Sequence, residues 1–518
     1  MAARRGDWAR SGLIWLALGL LTLAAVGVRV WGLPTPEGTF GRDEARLALA
    51  SRGIIEHGVP RLPGGVIYTR GLLPSYIEAG SFALFGVSDR SARFQSLLAG
   101  TLLVPLSYLL ARMAVGPAGS LAAAMVAAFC APLVLQSREA WLYSTFLPLF
   151  ATVLILFHRG FSVGSGPAQL CAALAFAAAL LCHELAVMAL PVLLLFLVLP
   201  AGPRHPIWWK GPWTLAALAV AVMAVGMAAG LSLGLRAPTL GGSLVEVREY
   251  LYLTSSPGTL LDYLRIVSSW HLLLLPLAVL GLPLVTSWLS HGALLLYLAT
   301  LCTLLMPSFL LLGRPEGRYI LPALVTLAPV AAFAAARWGP RLFEALAGRR
   351  LAPRLRNTLS AALPLVLLSA PLDWAAVRRD AQVRNVPTTW VQLMADRQPG
   401  DLIISYAPTL TSHYLGRTDA WIRPRGYEKY VWAQARPLRD IHSSAILVRN
   451  ARELDQLIAR PNQGRTAWVL LEPALYSSPI PETLELVNVL RSSADLERLA
   501  PDGRMVLRIS SLAVAASG

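Results

Sequence analysis

The chain has 518 residues, 55% hydrophobic and only 14% charged, with 45 Lys+Arg against 29 Asp+Glu and a formal net charge of +16. Together with a mean hydropathy of +0.56, this excludes a large water-soluble fold and describes a polytopic membrane protein. The basic residues are almost wholly Arg, Lys210 and Lys429 being the two lysines; scattered among apolar spans, they set topology or meet anionic head groups and do not point to nucleic acid. Cys130, Cys171, Cys182 and Cys302 fall inside apolar runs without metal-ligand spacing and read as small hydrophobes.

Arg4, Arg5 and Arg10 precede an apolar run from Ser11 to about Leu33. A signal peptide's apolar core is only about 7–15 residues, so this run reads as a retained anchor with a cytoplasmic N-terminus. Further spans are expected near 93–112, 117–136, 142–158, 167–183, 184–200, 213–235, 270–289, 292–312, 319–337 and 357–374, eleven in all, each near the roughly 20 residues that cross a bilayer. An odd number places everything after Asp373 outside. The cluster Arg337, Arg341, Arg349, Arg350, Arg354 and Arg356 falls on the expected inside.

The first external loop, 34–92, is too long for a simple connector. Glu44 to His57 sets Ala45, Leu47, Ala48, Leu49, Ile54 and Ile55 among Arg46, Arg52 and Glu56, an amphipathic interfacial helix. A second candidate helix runs from Leu72 to Phe85. Asp43-Glu44 opens the first: Asp43 is either a helix cap, favoured by the dipole, or the base of an enzyme with a lipid substrate. Tyr68 and Tyr76 read as aromatic-belt residues or sugar contacts.

Ser137-Arg138-Glu139 and His183-Glu184 lie at expected external ends of spans, where charge is expensive and commonly functional. Arg138 is a candidate phosphate contact or a partner for Glu139. His183 with Glu184 or Glu139 is a candidate divalent-cation pair without diagnostic spacing; the alternative is a turn-capping pair. The stretch 236–270, with Arg248, Glu249, Tyr250, Tyr252 and Arg265, is either a lid or a surface loop.

Beyond Asp373 the apolar runs shorten to strand length at 401–405, 444–448 and 467–471, alternating with helix-like stretches at 451–459 and 481–492. That alternation predicts a small α/β domain with a largely parallel sheet. The expected division is a membrane domain, 1–374, carrying the loop 34–92, and an external α/β domain, 375–518. No glycine-rich phosphate loop occurs.

Four segments, in order, carry a resemblance: Gly41-Arg-Asp43-Glu44-Ala-Arg46; Tyr68-Thr-Arg70-Gly-Leu-Leu-Pro74-Ser-Tyr76; Leu84-Phe-Gly86 through Ser91-Ala-Arg93; and Gly317-Arg318-Tyr319-Ile-Leu-Pro322. The set resembles the integral membrane glycosyltransferases of the GT-C fold, among them bacterial relatives of protein O-mannosyltransferases and of the lipid A aminoarabinose transferase. It covers about residues 12 to 340.

The resemblance implies a mainly α GT-C architecture in the bacterial cytoplasmic membrane. Its donor would be a polyprenyl-phosphate-linked monosaccharide, its acceptor a hydroxyl of protein, lipid or glycan on the external side. Asp43 matches the catalytic Asp, and Glu44 would orient it or help bind acceptor or metal. Arg70 aligns with a phosphate contact that is commonly Lys, Arg318 and Tyr319 match a late donor-binding element, and Arg314 is their neighbour. The chemistry suits these residue types. A carboxylate takes the proton of a poor hydroxyl nucleophile, and a planar guanidinium neutralises charge building on a leaving phosphate. No nucleotide is needed, because the lipid phosphate carries the activation; a divalent metal stays open. Thr69-Arg70-Gly71 stands where the aminoarabinose enzymes have Glu-Lys-Pro, so the resemblance extends to the class and not to that substrate. The alternatives are a transporter or lipid flippase, a ligase of the oligosaccharyltransferase kind using a pyrophosphate-linked donor, and an inactive assembly scaffold.

Overall fold

The computed structural model describes residues 2–33, 36–199, 211–234, 257–287, 291–310, 316–348, 350–369, 373–459, 466–476 and 478–510. Packing divides the chain into two compact units, one made of Met1–Trp31, Gln95–Ala229 and Arg248–Val377, the other of Gly32–Phe94, Gly230–Val247 and Arg378–Gly518.

The first unit is helical. Each of the eleven expected spans carries helix, beginning with α1 (Ala2–Val30). Among the described residues, five helices are long and apolar enough to cross a membrane alone: Gly12–Val30, Asp89–Ala111, Leu142–Phe161, Pro212–Gly230 and Gly317–Ala347. A sixth crossing results if Leu260–Trp270 and Leu274–Leu282, bent by 114°, count as one. The other expected spans are shorter helices with local causes. The helix Pro117–Phe129 stops at Cys130, whose backbone is extended (φ −63°, ψ 120°); four residues past Ala128, Pro132 has no N–H for that carbonyl and its ring would clash with it in a continuous helix. The helix Leu321–Ala347 is the hub, packing against the helices Pro117–Phe129, Leu274–Ser287, His291–Leu310 and Pro353–Leu367.

The second unit combines the first loop with a six-stranded sheet. In the loop lie α2 (Arg42–His57) and α3 (Leu72–Phe85), followed by the start of α4 (Asp89–Ala111). α2 begins at Gly41 in extended backbone and ends at Gly58 in the left-handed region (φ 75°), whose N–H returns to the Ile54 carbonyl, a common helix stop. Its buried face, including Ala45, Leu47, Ala48 and Ala50, packs on α3 and on the helix Pro408–Leu415. The strands are β1 (Leu402–Ser405), β2 (Ala420–Ile422), β3 (Ile446–Val448), β4 (Ala467–Leu471), β5 (Leu496–Leu499) and β6 (Met505–Ile509), in the order β3-β2-β1-β4-β6-β5. β3, β2, β1 and β4 run parallel, and β6 and β5 complete the sheet antiparallel. All five residues of β4 are buried, as a central strand covered on both faces requires.

By packing, the loop 34–92 groups with the C-terminal sheet. One glycine shows how tight the junction is. Gly38 (φ +111°) lies where a Cβ would come within 2.9 Å of Thr389 and Val391 side-chain atoms, so both its conformation and its space require glycine.

Candidate functional site

The first turn of α2 is where the sequence places the chemistry, and its geometry rests on buried ion pairs. Glu44 reaches back so that Oε2 accepts the Gly41 N–H (2.9 Å), while Oε1 accepts from Arg93 Nε (3.1 Å). Arg384 Nη1 lies 3.8 Å from the same Oε1. Arg93 retains 1% of its side-chain surface and Glu44 8%, so each charge is held in a low dielectric by the other. Arg93 also donates to Thr39 Oγ1 (3.2 Å) and to the Thr39 carbonyl (3.4 Å). Both carboxylate oxygens of Glu44 are thus engaged within the protein. Asp43 stands differently: it is the second residue of the helix, its side chain 39% exposed, with Arg46 Nη1 at 3.5 Å.

A second acidic group fixes the strand-like entry to α2. Asp89 Oδ2 accepts from the Thr39 N–H (3.1 Å) and hydroxyl (3.0 Å), and Oδ1 accepts from the Tyr414 hydroxyl (2.7 Å). Tyr414 in turn accepts the Phe40 N–H (3.1 Å). Burial and the neighbouring Asp89 carboxylate push the Tyr414 hydroxyl well above its ordinary range. Glu37 accepts the Asp89 N–H (3.1 Å), and desolvation with the adjacent Asp89 carboxylate pushes its carboxyl up to about 8. His413 is buried beside the Phe40 ring (5.2 Å between centroids), and that burial pushes it down to about 4.

The sheet domain reaches the same loop from the other side. Trp390 Nε1 donates to the Gly38 carbonyl (3.0 Å), and Arg504 donates to the Gly38 (3.1 Å) and Phe40 (2.8 Å) carbonyls. Lower in the loop, the Gly64 N–H donates to the His442 carbonyl (2.9 Å), and Trp432 Nε1 donates to the Gly64 carbonyl (3.0 Å). Arg42 is ion-paired with Glu472. None of Tyr414, Arg384, Trp390, Arg504 or Glu472 carries a local sequence signal for these roles, because each partner lies hundreds of residues away.

Arg70 is half-buried and directly precedes Gly71, the left-handed residue (φ 71°) that starts α3. Tyr68 is buried, 7% exposed, so within this unit its ring is packed rather than displayed as a belt residue. The remaining candidates belong to the helical unit. Arg138 is fully buried and donates to the carbonyls of Val28 (3.3 Å), Arg29 (3.1 Å) and Trp31 (2.6 Å). It therefore closes the C-terminal end of α1, the position where a cation complements a helix. His183 Nδ1 accepts the Leu185 N–H (3.1 Å) and lies 3.3 Å from Glu184 Oε2, which is the turn-capping arrangement. Among the described residues no three His, Cys, Asp or Glu side chains gather as metal ligands.

Arg318 and Tyr319 sit on the 3-10 turn Gly317–Ile320 that opens the hub helix. Arg318 is ion-paired with Glu316, and its guanidinium carbon lies 5.5 Å over the Tyr319 ring. Tyr143 links the two polar ends of spans, its ring 6.4 Å from Tyr319 and 4.6 Å from His183. Arg314 and 236–256 lie outside the described residues; Arg265, at the end of the expected lid, is 79% exposed and paired with Asp262.

Residues 69–228 match the family model of dolichyl-phosphate-mannose-protein mannosyltransferases. No curated protein matches the chain. Among solved structures, it is similar to ArnT from Cupriavidus metallidurans bound to undecaprenyl phosphate, with a TM-score of 0.67 at 15% identity over 96% of this chain and 98% of that one. The archaeal oligosaccharyltransferase AglB from Archaeoglobus fulgidus, in complex with an inhibitory peptide and a dolichol-phosphate, gives 0.59 at 11% identity over 98% of this chain and 76% of that one. The apo form of the oligosaccharyltransferase from that organism gives 0.60 at 12% identity, over 99% and 76%.

Proposed function

We propose that this polytopic membrane protein, which has the GT-C fold, moves a monosaccharide from a polyprenyl-phosphate donor to an acceptor hydroxyl on the external face of the bacterial cytoplasmic membrane. The observation that carries this reading is a pairing: a match to dolichyl-phosphate-mannose-dependent transferases inside a chain folded like ArnT, a protein solved with undecaprenyl phosphate. The N-terminus is cytoplasmic and the sheet domain external in this reading, with the membrane domain ending near residue 374.

Asp43 takes the proton of the acceptor hydroxyl as its oxygen attacks the anomeric carbon. The bond from that carbon to the phosphate oxygen breaks, and polyprenyl phosphate leaves with the electron pair. One displacement inverts the anomeric configuration. Charge growing on the phosphate is met by Arg70, with Arg318 and Tyr319 as further contacts, because cations already aimed at those oxygens stabilise the transition state more than the ground state. A phosphate at Arg318 exchanges with Glu316. Supporting the assignment of Asp43, the adjacent Glu44 is fully engaged inside the protein whereas Asp43 keeps two-fifths of its surface. A second reading is a ligase of the oligosaccharyltransferase kind, whose fold the chain shares with AglB, using a pyrophosphate-linked donor.

The test supplies purified full-length protein in lipid with a panel of polyprenyl-phosphate and polyprenyl-pyrophosphate sugars, and measures the released lipid phosphate. Monophosphate donors are expected to be consumed, and Asp43→Asn to slow transfer by roughly 10²–10⁴. Turnover of pyrophosphate donors alone selects the ligase, and equal rates for Asp43→Asn and wild type remove Asp43 as base. Arg70→Ala is expected to weaken donor binding more than Arg52→Ala does.

A further inference from the structure

In open sheets built from parallel strands, ligands settle outside the carboxyl ends of the strands, at the point where strand order reverses. Here the chain lays β2 and β3 on one side of β1 and then crosses to place β4 on the other, so the crevice lies between the ends of β1 and β4. Its two lips are Tyr406, the residue after β1, and Glu472, the residue after β4. They are pinned together by the Tyr406 N–H, which donates to the Leu470 carbonyl (3.2 Å).

The crevice is filled by the protein's own first loop. Arg42 Nε donates to Glu472 Oε2 (2.7 Å), Nη2 donates to the same oxygen, and the guanidinium carbon lies 4.5 Å over the Tyr406 ring. Glu472 is 12% exposed. Arg42 is the first residue of α2, where the helix dipole disfavours a cation; a local rule is broken, and the Glu472 carboxylate compensates for it. The next residue is Asp43.

We propose that Arg42, Tyr406 and Glu472 form a clamp through which the C-terminal sheet positions the first turn of α2, and so aims Asp43 at the acceptor hydroxyl. This rests on the reading of Asp43 as the base. Glu472 and Tyr406 are positioning residues: they act on Asp43 through Arg42. The sheet domain thereby takes part in each turnover, its crevice holding a piece of the enzyme in place of a ligand.

The test uses the full-length protein in lipid nanodiscs. Glu472→Gln keeps the shape and removes the charge. It is expected to lower kcat roughly ten- to hundredfold, the scale of a misplaced reacting group, with KM for the lipid donor within about twofold of wild type. Arg42→Gln is expected to match it, and the double variant to be no worse than either single one, because a shared interaction is lost once. Amide exchange supplies a readout independent of activity: 38–48 exchanges faster in Glu472→Gln while β4 stays protected. Glu482→Gln, at the surface pair with Arg425 on the same domain, serves as the control and changes neither measure. Unchanged kcat, multiplying effects of the two substitutions, or equal loss of protection in β4 would each overturn the clamp. A fully active Asp43→Asn protein would instead overturn the base assignment, while the exchange result still decides whether the clamp orders the turn.

Discussion

Buried arginines do different work in the two units. In the helical unit, Arg29 donates to the Ala127 and Ala128 carbonyls at the end of the helix Pro117–Phe129, and Arg138 donates to the carbonyls that end α1. Both guanidinium groups are fully buried and bonded to neutral oxygens. In the loop-and-sheet unit, Arg93 is equally buried but bonded to a carboxylate, Glu44. The first arrangement satisfies helix ends that lipid cannot solvate. The second cancels charge and holds an irregular loop in one conformation.

The largest expected effect comes from breaking the second arrangement. Arg93→Ala leaves Glu44 buried without its partner and should cost about 3–5 kcal/mol, read as a lowered unfolding midpoint in detergent; adding Glu44→Ala should recover part of it. A cost near zero would erase the contrast between the units. Next is acid. His413 is pushed down to about 4, so the unfolded chain takes up its proton first, and stability is lost as pH falls from the ordinary histidine range near 6.5 through 4. The loss is on the order of 3 kcal/mol, and His413→Gln should flatten that limb of the pH–stability curve. Glu37 acts with the opposite sign: raised to about 8, it binds its proton more tightly in the folded state, so stability falls as pH rises from the usual carboxylate range toward 8, and Glu37→Gln should remove that slope.

Arg138→Met should cost about 1–3 kcal/mol through orphaned carbonyls and leave the acid limb set by His413 unchanged. The smallest effect is Trp432→Phe at a half-buried position, which deletes the hydrogen bond to the Gly64 carbonyl, about 1 kcal/mol. If it slowed transfer without lowering stability, the sheet's hold on the loop would extend beyond Arg42.

Local pattern carried much of this fold. Each expected span contains helix among the described residues, though five or six are long enough to cross a membrane; α3 spans the expected Leu72–Phe85, and α2 begins two residues before the expected Glu44. The strands β1, β3 and β4 were legible as apolar runs. β2 has only three residues, and β5, Leu-Glu-Arg-Leu, alternates half-buried and exposed residues, so neither stands out by composition. The acidic pair at 43–44 was legible as well, but not the partners that bury Glu44 and leave Asp43 more exposed. Nothing near Glu44 announces Arg93, 49 residues on, and nothing near Asp89 announces Tyr414, 325 residues on. Such pairings leave no periodicity to read, and they are also why the first loop reads as part of the membrane domain.

The order of synthesis meets a problem in this arrangement. The loop 32–94 emerges from the ribosome about 310 residues before the first strand of the sheet at Leu402, a wait of roughly 15–60 s at about 5–20 residues per second. During that interval the Arg93–Glu44 pair can form, since both partners are already made, whereas the Tyr414, Arg504 and Glu472 contacts cannot. A nascent chain therefore carries its acidic turn half-assembled until the residues of the sheet have been made.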